Sequence, residues 1–458
     1  MTQDLRDGMT LYVDLDGTLV RSDTLWESLL ALARRRPWSF AALPGWLAGG
    51  KAAFKRRLAK AVLPDPALLP YDKDVLALVH ARRERGGRVV LATAADRAIA
   101  DEVSRHLGIF DGVLASDGTT NNAGAAKRDA IIAHAEGAPF EYLGDGRDDE
   151  AVRKAAVAST IVQRPRATFG SVAAALRVRQ WLKNLLVFVP LGLSHRLADP
   201  ALLAAAFAAF ASFSLCASAV YVLNDLWDLE ADRRHPVKRA RPLASGSLGI
   251  PDGLALAVCA LAAALALAAS SLSPLFVGLL AGYLVITTAY TFFLKRFAVL
   301  DVLVIAVCYA YRLVAGSAAT GIVLSGWLVV FSLFFFLSLA FLKRYAELAM
   351  RKAGGLPAEA GRGYASGDLG VLRLLGIASA VAAVFVMSLY VTNPNVTVLY
   401  SRPPVLWLAA LATMYWLGRI WLLAGRGAIK DDPFSFTVAD GPSYATAALM
   451  ALTLVLAS

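Results

Sequence analysis

Two aspartates two residues apart close a short apolar run, Leu11-Tyr12-Val13-Asp14-Leu15-Asp16-Gly17-Thr18-Leu19-Val20. A strand ending in a glycine turn places both carboxylates at the carboxyl end of a sheet, where open α/β folds bind ligands. One carboxylate there can attack phosphorus and a second can pass a proton to the leaving oxygen. A divalent cation can neutralise both together with the phosphate. Further parts follow in order: Thr93 after Val89-Val90-Leu91-Ala92, then Lys127, then Gly144-Asp145-Gly146-Arg147-Asp148-Asp149 after another apolar run. A second acidic group, Asn224-Asp225-Leu226-Trp227-Asp228-Leu229-Glu230-Ala231-Asp232, precedes Arg233-Arg234-His235-Pro236-Val237-Lys238-Arg239-Ala240-Arg241-Pro242. At about 100° per residue, Asn224, Asp228 and Asp232 fall at roughly 0°, 40° and 80° and Asp225 at roughly 100°, so all four share one helical sector. Three like charges on one face repel. Mg²⁺ bridging to a diphosphate removes that repulsion, since magnesium prefers one or two carboxylates plus phosphate oxygens.

The elements that must position these groups lie in two different solvents. The chain of 458 residues is 57% hydrophobic and only 18% charged, with a mean hydropathy of +0.56. So few charges cannot cover so much apolar surface in water, which excludes a disordered or ordinary soluble protein. Residues 1 to about 165 carry charges throughout, and no apolar stretch approaches the roughly 20 residues that cross a bilayer. The N-terminus has no apolar core of an export signal, because the run from Met9 to Val13 ends in two aspartates. Strand-like runs at Met9–Val13, Arg88–Thr93, Glu141–Gly144 and Ser159–Val162 alternate with helix-like segments, which predicts an α/β domain with a parallel sheet. Arg164-Pro165-Arg166 opens a linker.

Beyond it, apolar runs near 183–197, 201–224, 251–270, 274–294, 299–320, 325–343, 370–391, 404–424 and 441–458 predict about nine membrane helices. The loops after spans two, four, six and eight hold sixteen basic residues, and the opposite loops hold only Arg196 and Arg402. This bias predicts that those loops and the N-terminal domain face the cytoplasm. The net charge of +11 therefore follows topology and not a basic stripe with interleaved aromatics, so no nucleic acid is expected. Cys216, Cys259 and Cys308 fall in apolar runs without paired spacing, which excludes a disulfide framework or a cysteine-based metal site. Arg312 lies eleven residues beyond Asp301, roughly 16 Å along its helix and near mid-membrane. A charge at that depth costs at least ~2.5 kcal/mol, so it should face a polar cavity, where it binds phosphate or sugar or pairs with a carboxylate.

The DxDGTLV string with Thr93, Lys127 and the GDGRDD run resembles the haloacid dehalogenase superfamily of phosphohydrolases over the whole N-terminal third. The resemblance implies a Rossmann-like α/β fold, with Asp14 as nucleophile and Asp16 as acid/base. It also implies Thr93 and Lys127 as phosphate anchors and Asp145 with Asp149 holding Mg²⁺, in a set joined by Asp14 and Asp16. The stretch between Thr18 and Thr93 is long enough for a helical cap.

From about 175 to 458, NDxxDxxxD followed by KxxRP resembles the UbiA superfamily of membrane prenyltransferases, an all-α membrane fold whose site opens to the cytoplasmic side. Asp225, Asp228 and Asp232 are then the metal ligands. The family pattern has a second aspartate-rich motif after span six. Here Phe341-Leu342-Lys343-Arg344-Tyr345-Ala346-Glu347-Leu348 stands in that place, and cations suit a phosphate directly, without a bridging metal. Together with Arg179-Gln180-Trp181-Leu182-Lys183-Asn184, Leu300-Asp301-Val302 and Asp431-Asp432-Pro433-Phe434, this resembles the decaprenyl-phosphate phosphoribosyltransferase branch. In that branch the diphosphate belongs to phosphoribosyl diphosphate (PRPP) and a polyprenyl phosphate is the acceptor. The implied substrate-binding residues are Lys183, Asn184, Asn224, Lys238, Arg241, Lys295, Arg296, Arg312, Lys343 and Arg344.

Two expected domains follow, 1–165 and 175–458. The first could remove the 5-phosphate that survives transfer by the second. Two other readings stay open at this stage: an aromatic prenyltransferase using a polyprenyl diphosphate, and a lipid carrier or transporter with a phosphate-sensing domain. The expected location is the inner membrane, and a homo-oligomer is left open.

Overall fold

The computed structural model of the chain describes residues 8–146, 149–163, 167–194, 196–354, 363–393, 400–429 and 433–457. It forms two compact units, one of residues up to 177 with 221–259, the other of 178–220 with 260–458.

In the first unit five parallel strands, β1 (Thr10–Val13), β2 (Val89–Asp96), β3 (Gly112–Ser116), β4 (Phe140–Gly144) and β5 (Ala158–Ile161), lie in the order β3-β2-β1-β4-β5. Val89 to Ala92 are fully buried, as strands covered on both faces must be. β2 runs on to Asp96, past the end expected at Thr93. β3 was not foreseen, because four partly buried residues followed by the buried Ser116 show no alternation and leave no periodic signal. The strand order turns around at β1, with β2 on one side and β4 on the other. A crevice therefore opens at the carboxyl end of β1, where the chain continues into Asp14. Between the first two motifs, helices α1 (Thr24–Arg35) and α2 (Lys51–Ala61), joined through Pro37–Leu47, form the expected helical cap. α1 starts on Asp23, whose side chain accepts from Leu25 N–H.

The acidic segment at 224–232 belongs to this unit. Trp26 and Leu30 of α1 pack against Leu226, Leu229, Leu243 and Ala244. Arg233 sends two guanidinium nitrogens to Glu27, at 2.7 and 3.0 Å, and its Nε to the Ala244 carbonyl at 3.1 Å. Both charged side chains are buried, at 7% and 4% exposure. The bidentate geometry and the added carbonyl bond make such a pair tolerable away from water.

Among the described residues seven helices are long and apolar enough to cross a membrane. They are α3 (Pro200–Trp227), α4 (Ile250–Ser271), α5 (Pro274–Phe292), α6 (Leu300–Thr320), α7 (Gly326–Ala353), α8 (Leu369–Thr392) and α9 (Leu406–Gly425). The protein is thus a multi-pass membrane protein. Of the nine spans expected, the last is an apolar helix of 17 residues, α10 (Gly441–Ala457), and the first is not a long helix. There Val178–Phe188 winds as a 3₁₀ helix and Val189–Leu193 as a short α-helix. Pro190 has no N–H and is confined to the first turn of that helix. Gly316 of α6 lets this stretch approach closely, since a Cβ there would stand 2.1 Å from the Val187 carbonyl oxygen.

Glu27→Ala or Arg233→Ala leaves one buried charge unmatched and should destabilise the first unit by about 3–5 kcal/mol. Glu27→Leu combined with Arg233→Met should recover most of that loss. Thermal unfolding of the full chain in detergent checks both.

Candidate functional site

β1 delivers Asp14 to the crevice, and Asp14 N–H donates to the Leu143 carbonyl at 2.9 Å. Gly17, at φ 74°, then turns the chain tightly enough for its N–H to reach the Val20 carbonyl at 2.7 Å. Lys127, buried on the helix Ala125–His134, donates to Asp14 Oδ1 and to Asp149 Oδ2, each at 3.0 Å. Burial works against its charge, but Asp14 and Asp149 outweigh that and raise its pKa. Tyr142 OH donates to Asp149 Oδ2 at 2.5 Å and accepts from Lys127 Nζ at 3.3 Å. Burial pushes the Asp14 carboxyl up to about 6, with Lys127 pulling it down and Asp149 pushing it further up. Asp16 accepts from Thr24 of the neighbouring turn, from the N–H to Oδ1 at 2.7 Å and from the hydroxyl to Oδ2 at 3.2 Å. Burial and then Asp23 push it up to about 7, so Asp16 keeps a proton for part of its time near neutrality.

Carboxylate oxygens of Asp14, Asp145 and Asp149 all lie within 4.8 Å of one another. Oxygen donors at that spacing fit one hard divalent cation. Asp16, which the sequence grouped with them, stands outside this cluster. Thr93 is fully buried, and its Oγ1 accepts from Ala95 N–H at 3.0 Å. Ala94, Ala95 and Asp96 line the cavity of about 920 Å³ above the aspartates, facing Lys51, Phe54 and Lys55 of α2. Lys55 is fixed there by the Ala94 carbonyl at 2.7 Å and Asn121 Oδ1 at 3.0 Å. The sequence reading missed Lys55, Thr24 and Tyr142, since nothing local distinguishes a lysine in a basic helix or a tyrosine in a strand.

In the acidic segment the helix breaks at Asp228. Its helical bonds nevertheless persist, Asp228 N–H to Asn224 O and Asp232 N–H to Asp228 O, each at 2.8 Å. The shared face expected from the spacing therefore exists. Its repulsion is met from within the protein: Arg241 Nη1 donates to Asp225 Oδ1 at 3.0 Å and to Asp232 Oδ2 at 2.6 Å, and Arg177 pairs with Asp225. Arg177 also stacks on Tyr221, 4.8 Å from the ring centroid. Asp225 and Asp232 are buried, while Asn224, Asp228 and Lys238 are half-buried. His235 Nδ1 accepts from the N–H groups of Val237 and Lys238 at 3.2 Å, a turn-forming role.

In the second unit Arg312 is buried at 4% exposure. Its Nε donates to Asn184 Oδ1 at 2.8 Å, Nη2 to Tyr283 OH at 3.0 Å and Nη1 to the Cys308 carbonyl. The rings of Phe213, Tyr283 and Tyr309 surround it at 5.2–5.5 Å. Asn184 is held by its own bond to Ser214 Oγ at 3.0 Å, and Lys183 stands 5.8 Å from the centroids of Tyr309 and Phe434. Lys183, Asn184 and Arg312 thus meet around Tyr309. Arg344, expected among the substrate-binding residues, is held within the protein. It is buried, donates to Asp301 Oδ2 at 2.6 Å and to Tyr290 OH at 3.1 Å, and pairs with Glu347. Two carboxylates match its charge, because an unmatched guanidinium at that depth is too costly. Lys343 and Lys295 are half-buried and Arg296 is exposed. Asp431 and Asp432 lie outside the described residues.

Tyr142→Phe removes a hydroxyl that orients Asp149. Mg²⁺ should then bind Asp14, Asp145 and Asp149 about 10–100-fold more weakly. Calorimetric titration of the full chain with Mg²⁺ checks this.

The UbiA prenyltransferase family matches residues 185–439 and the haloacid dehalogenase-like hydrolase family residues 11–151. The uncharacterised protein y4nM of Sinorhizobium fredii is 37% identical over 475 residues, covering 98% of this chain and 91% of its own. The nodulation protein NoeC of Azorhizobium caulinodans is 34% identical over 63% of this chain and 93% of its own. The decaprenyl-phosphate phosphoribosyltransferase of Mycobacterium tuberculosis is 39% identical over 200 residues, which are 43% of this chain and 66% of that protein. The chain belongs to the UbiA prenyltransferase family, with a haloacid dehalogenase-like hydrolase domain at its N-terminus.

Proposed function

We propose that the membrane part transfers a 5-phosphoribosyl group from PRPP to a polyprenyl phosphate, and that the N-terminal part then removes the 5-phosphate from the product. The observation that carries the first half is the stretch Phe341–Leu348, which holds Lys343, Arg344 and a single carboxylate where the family has its second aspartate-rich motif. Similarity to decaprenyl-phosphate phosphoribosyltransferases supports it. A lipid phosphate is already an anion at neutral pH, so it needs no general base to attack the ribose anomeric carbon. The chain must position the two substrates and stabilise charge as the carbon–oxygen bond to diphosphate breaks.

Asp225, Asp228 and Asp232 would hold Mg²⁺, which supplies charge neutralisation for the departing diphosphate. Arg177 and Arg241 keep these carboxylates from repelling one another. Lys238 and Asn224 border the same group, and within the second unit Arg312, Lys183 and Asn184 form a cationic group suited to phosphate or sugar oxygens. Lys343 faces the lipid phosphate, in a helical turn that Arg344 secures through Asp301 and Glu347. In the N-terminal domain Asp14 attacks the 5-phosphorus, Asp16 gives a proton to the departing ribose oxygen, and Lys127 holds the nucleophile in place. Mg²⁺ fits Asp14, Asp145 and Asp149. The excess of basic residues in the loops after alternate spans supports a cytoplasmic-side location for both sites, in the inner membrane.

Purified full-length protein should transfer label from PRPP to polyprenyl phosphate and should fail to couple polyprenyl diphosphate to 4-hydroxybenzoate. The reverse result establishes the aromatic prenyltransferase reading instead, and activity with neither donor leaves the carrier reading. Asp14→Asn should accumulate the doubly phosphorylated lipid, and failure to do so would falsify the coupling of the two domains. Arg312→Gln should lower transfer by about two to three orders of magnitude, leaving hydrolysis of p-nitrophenyl phosphate unchanged.

A further inference from the structure

Residues 28–64 contain eight basic residues and no acidic one. In their middle, Pro37–Ala42 forms a 3₁₀ helix and Leu43–Leu47 a short α-helix. Two apolar side chains of this stretch turn inward, Leu43 and Trp46, onto the cluster of Ala31, Leu32, Phe54 and Leu58. Three turn outward: Trp38 is 91% exposed, Leu47 57% and Phe40 41%. An anchored stretch that holds a tryptophan and a phenylalanine in the open, beside arginines, has the composition of a segment resting at a membrane–water interface.

Its place in the fold agrees. The last turn of α1 is tied to the end of a membrane helix, with Arg34 Nη1 donating to the carbonyl of Trp227, the final residue of α3, at 3.3 Å. Arg35 donates to Glu230, just beyond that helix, at 3.1 Å. Pro37 follows α1 after a single residue, so the outward-facing stretch starts where a span leaves the bilayer. At its other end Leu47, Gly50 and Lys51 line the cavity that holds Asp14 and Asp16.

We propose that Pro37–Leu47 is a lipid-contacting segment: Trp38, Phe40 and Leu47 enter the headgroup boundary of an anionic leaflet and set the mouth of the phosphatase cavity against the membrane. Exposed arginines and lysines on both flanks draw the segment to anionic lipid. The cavity then takes a phosphomonoester whose remaining part stays in the bilayer. The membrane contact does not rest on PRPP being the donor, so its physical test stands if that reading fails.

The test uses the full chain in nanodiscs of phosphatidylcholine and phosphatidylglycerol, with Cys216, Cys259 and Cys308 replaced and a fluorophore on Trp38→Cys or, as control, on the exposed Lys154→Cys. Nitroxide-bearing lipid should quench the label at 38 several-fold more than the label at 154, and aqueous iodide should do the opposite. Equal quenching at the two positions overturns the proposal. So does a label at 38 shielded from both quenchers, which would mean a protein covers the segment. Trp38→Glu with Phe40→Glu should raise KM for the vesicle-borne phosphoribosyl lipid about tenfold, leave p-nitrophenyl phosphate hydrolysis unchanged, and be reversed by Trp38→Phe with Phe40→Leu. Equal loss on both substrates, or no loss on either, counts against the segment.

Discussion

A carboxylate taken out of water has to meet a cation or several donors, because an unmatched buried charge costs more than the margin by which a domain is stable. Asp14, Asp149, Asp225, Asp232, Glu27 and Asp301 are all buried, and each is met by a cation from elsewhere in the sequence. Lys127 stands between Asp14 and Asp149, Arg241 between Asp225 and Asp232, Arg233 on Glu27, and Arg344 on Asp301. The positions of these cations fix the geometry of the acidic groups, so positioning and stability rest on the same contacts.

Helix α1 shows how those contacts tie the phosphatase fold to the aspartate-rich segment. Thr24 at its start holds Asp16, Glu27 one turn later holds Arg233, and Arg34 and Arg35 at its end reach Trp227 and Glu230. A single helix of 12 residues therefore touches a carboxylate of one candidate site and the backbone that carries the other. Its apolar face, with Trp26 and Leu30, supplies the burial that keeps those polar contacts dry.

Much of this was legible in the sequence where a local pattern carries the information. Four of the five strands, the glycine turn after Asp16, the cap between the first two motifs and seven long membrane helices follow from runs of apolar residues and their breaks. At 183–197 the expected span is not one long helix, because Pro190 fits only the first turn of the helix Val189–Leu193 and the stretch before it winds as a 3₁₀ helix packed on Gly316, which apolarity alone does not reveal. The acidic face at 224–232 was legible from its spacing, but its neutralisation by Arg177 and Arg241 was not. Nor was the pairing of Arg344 with Asp301 legible, since Asp301 precedes it by 43 residues.

By itself the sequence determined the kinds of element, their order, the two solvents they occupy and the residue types available for phosphate chemistry. Those depend on period, composition and neighbours a few positions away. Only the tertiary structure decided which charges pair, since the pairs Asp14–Lys127 and Glu27–Arg233 span 113 and 206 residues. It also decided that Trp38 points outward while Trp46 packs inward. A contact between distant residues leaves no periodic trace in the chain, and its formation is settled by the burial of apolar surface around it.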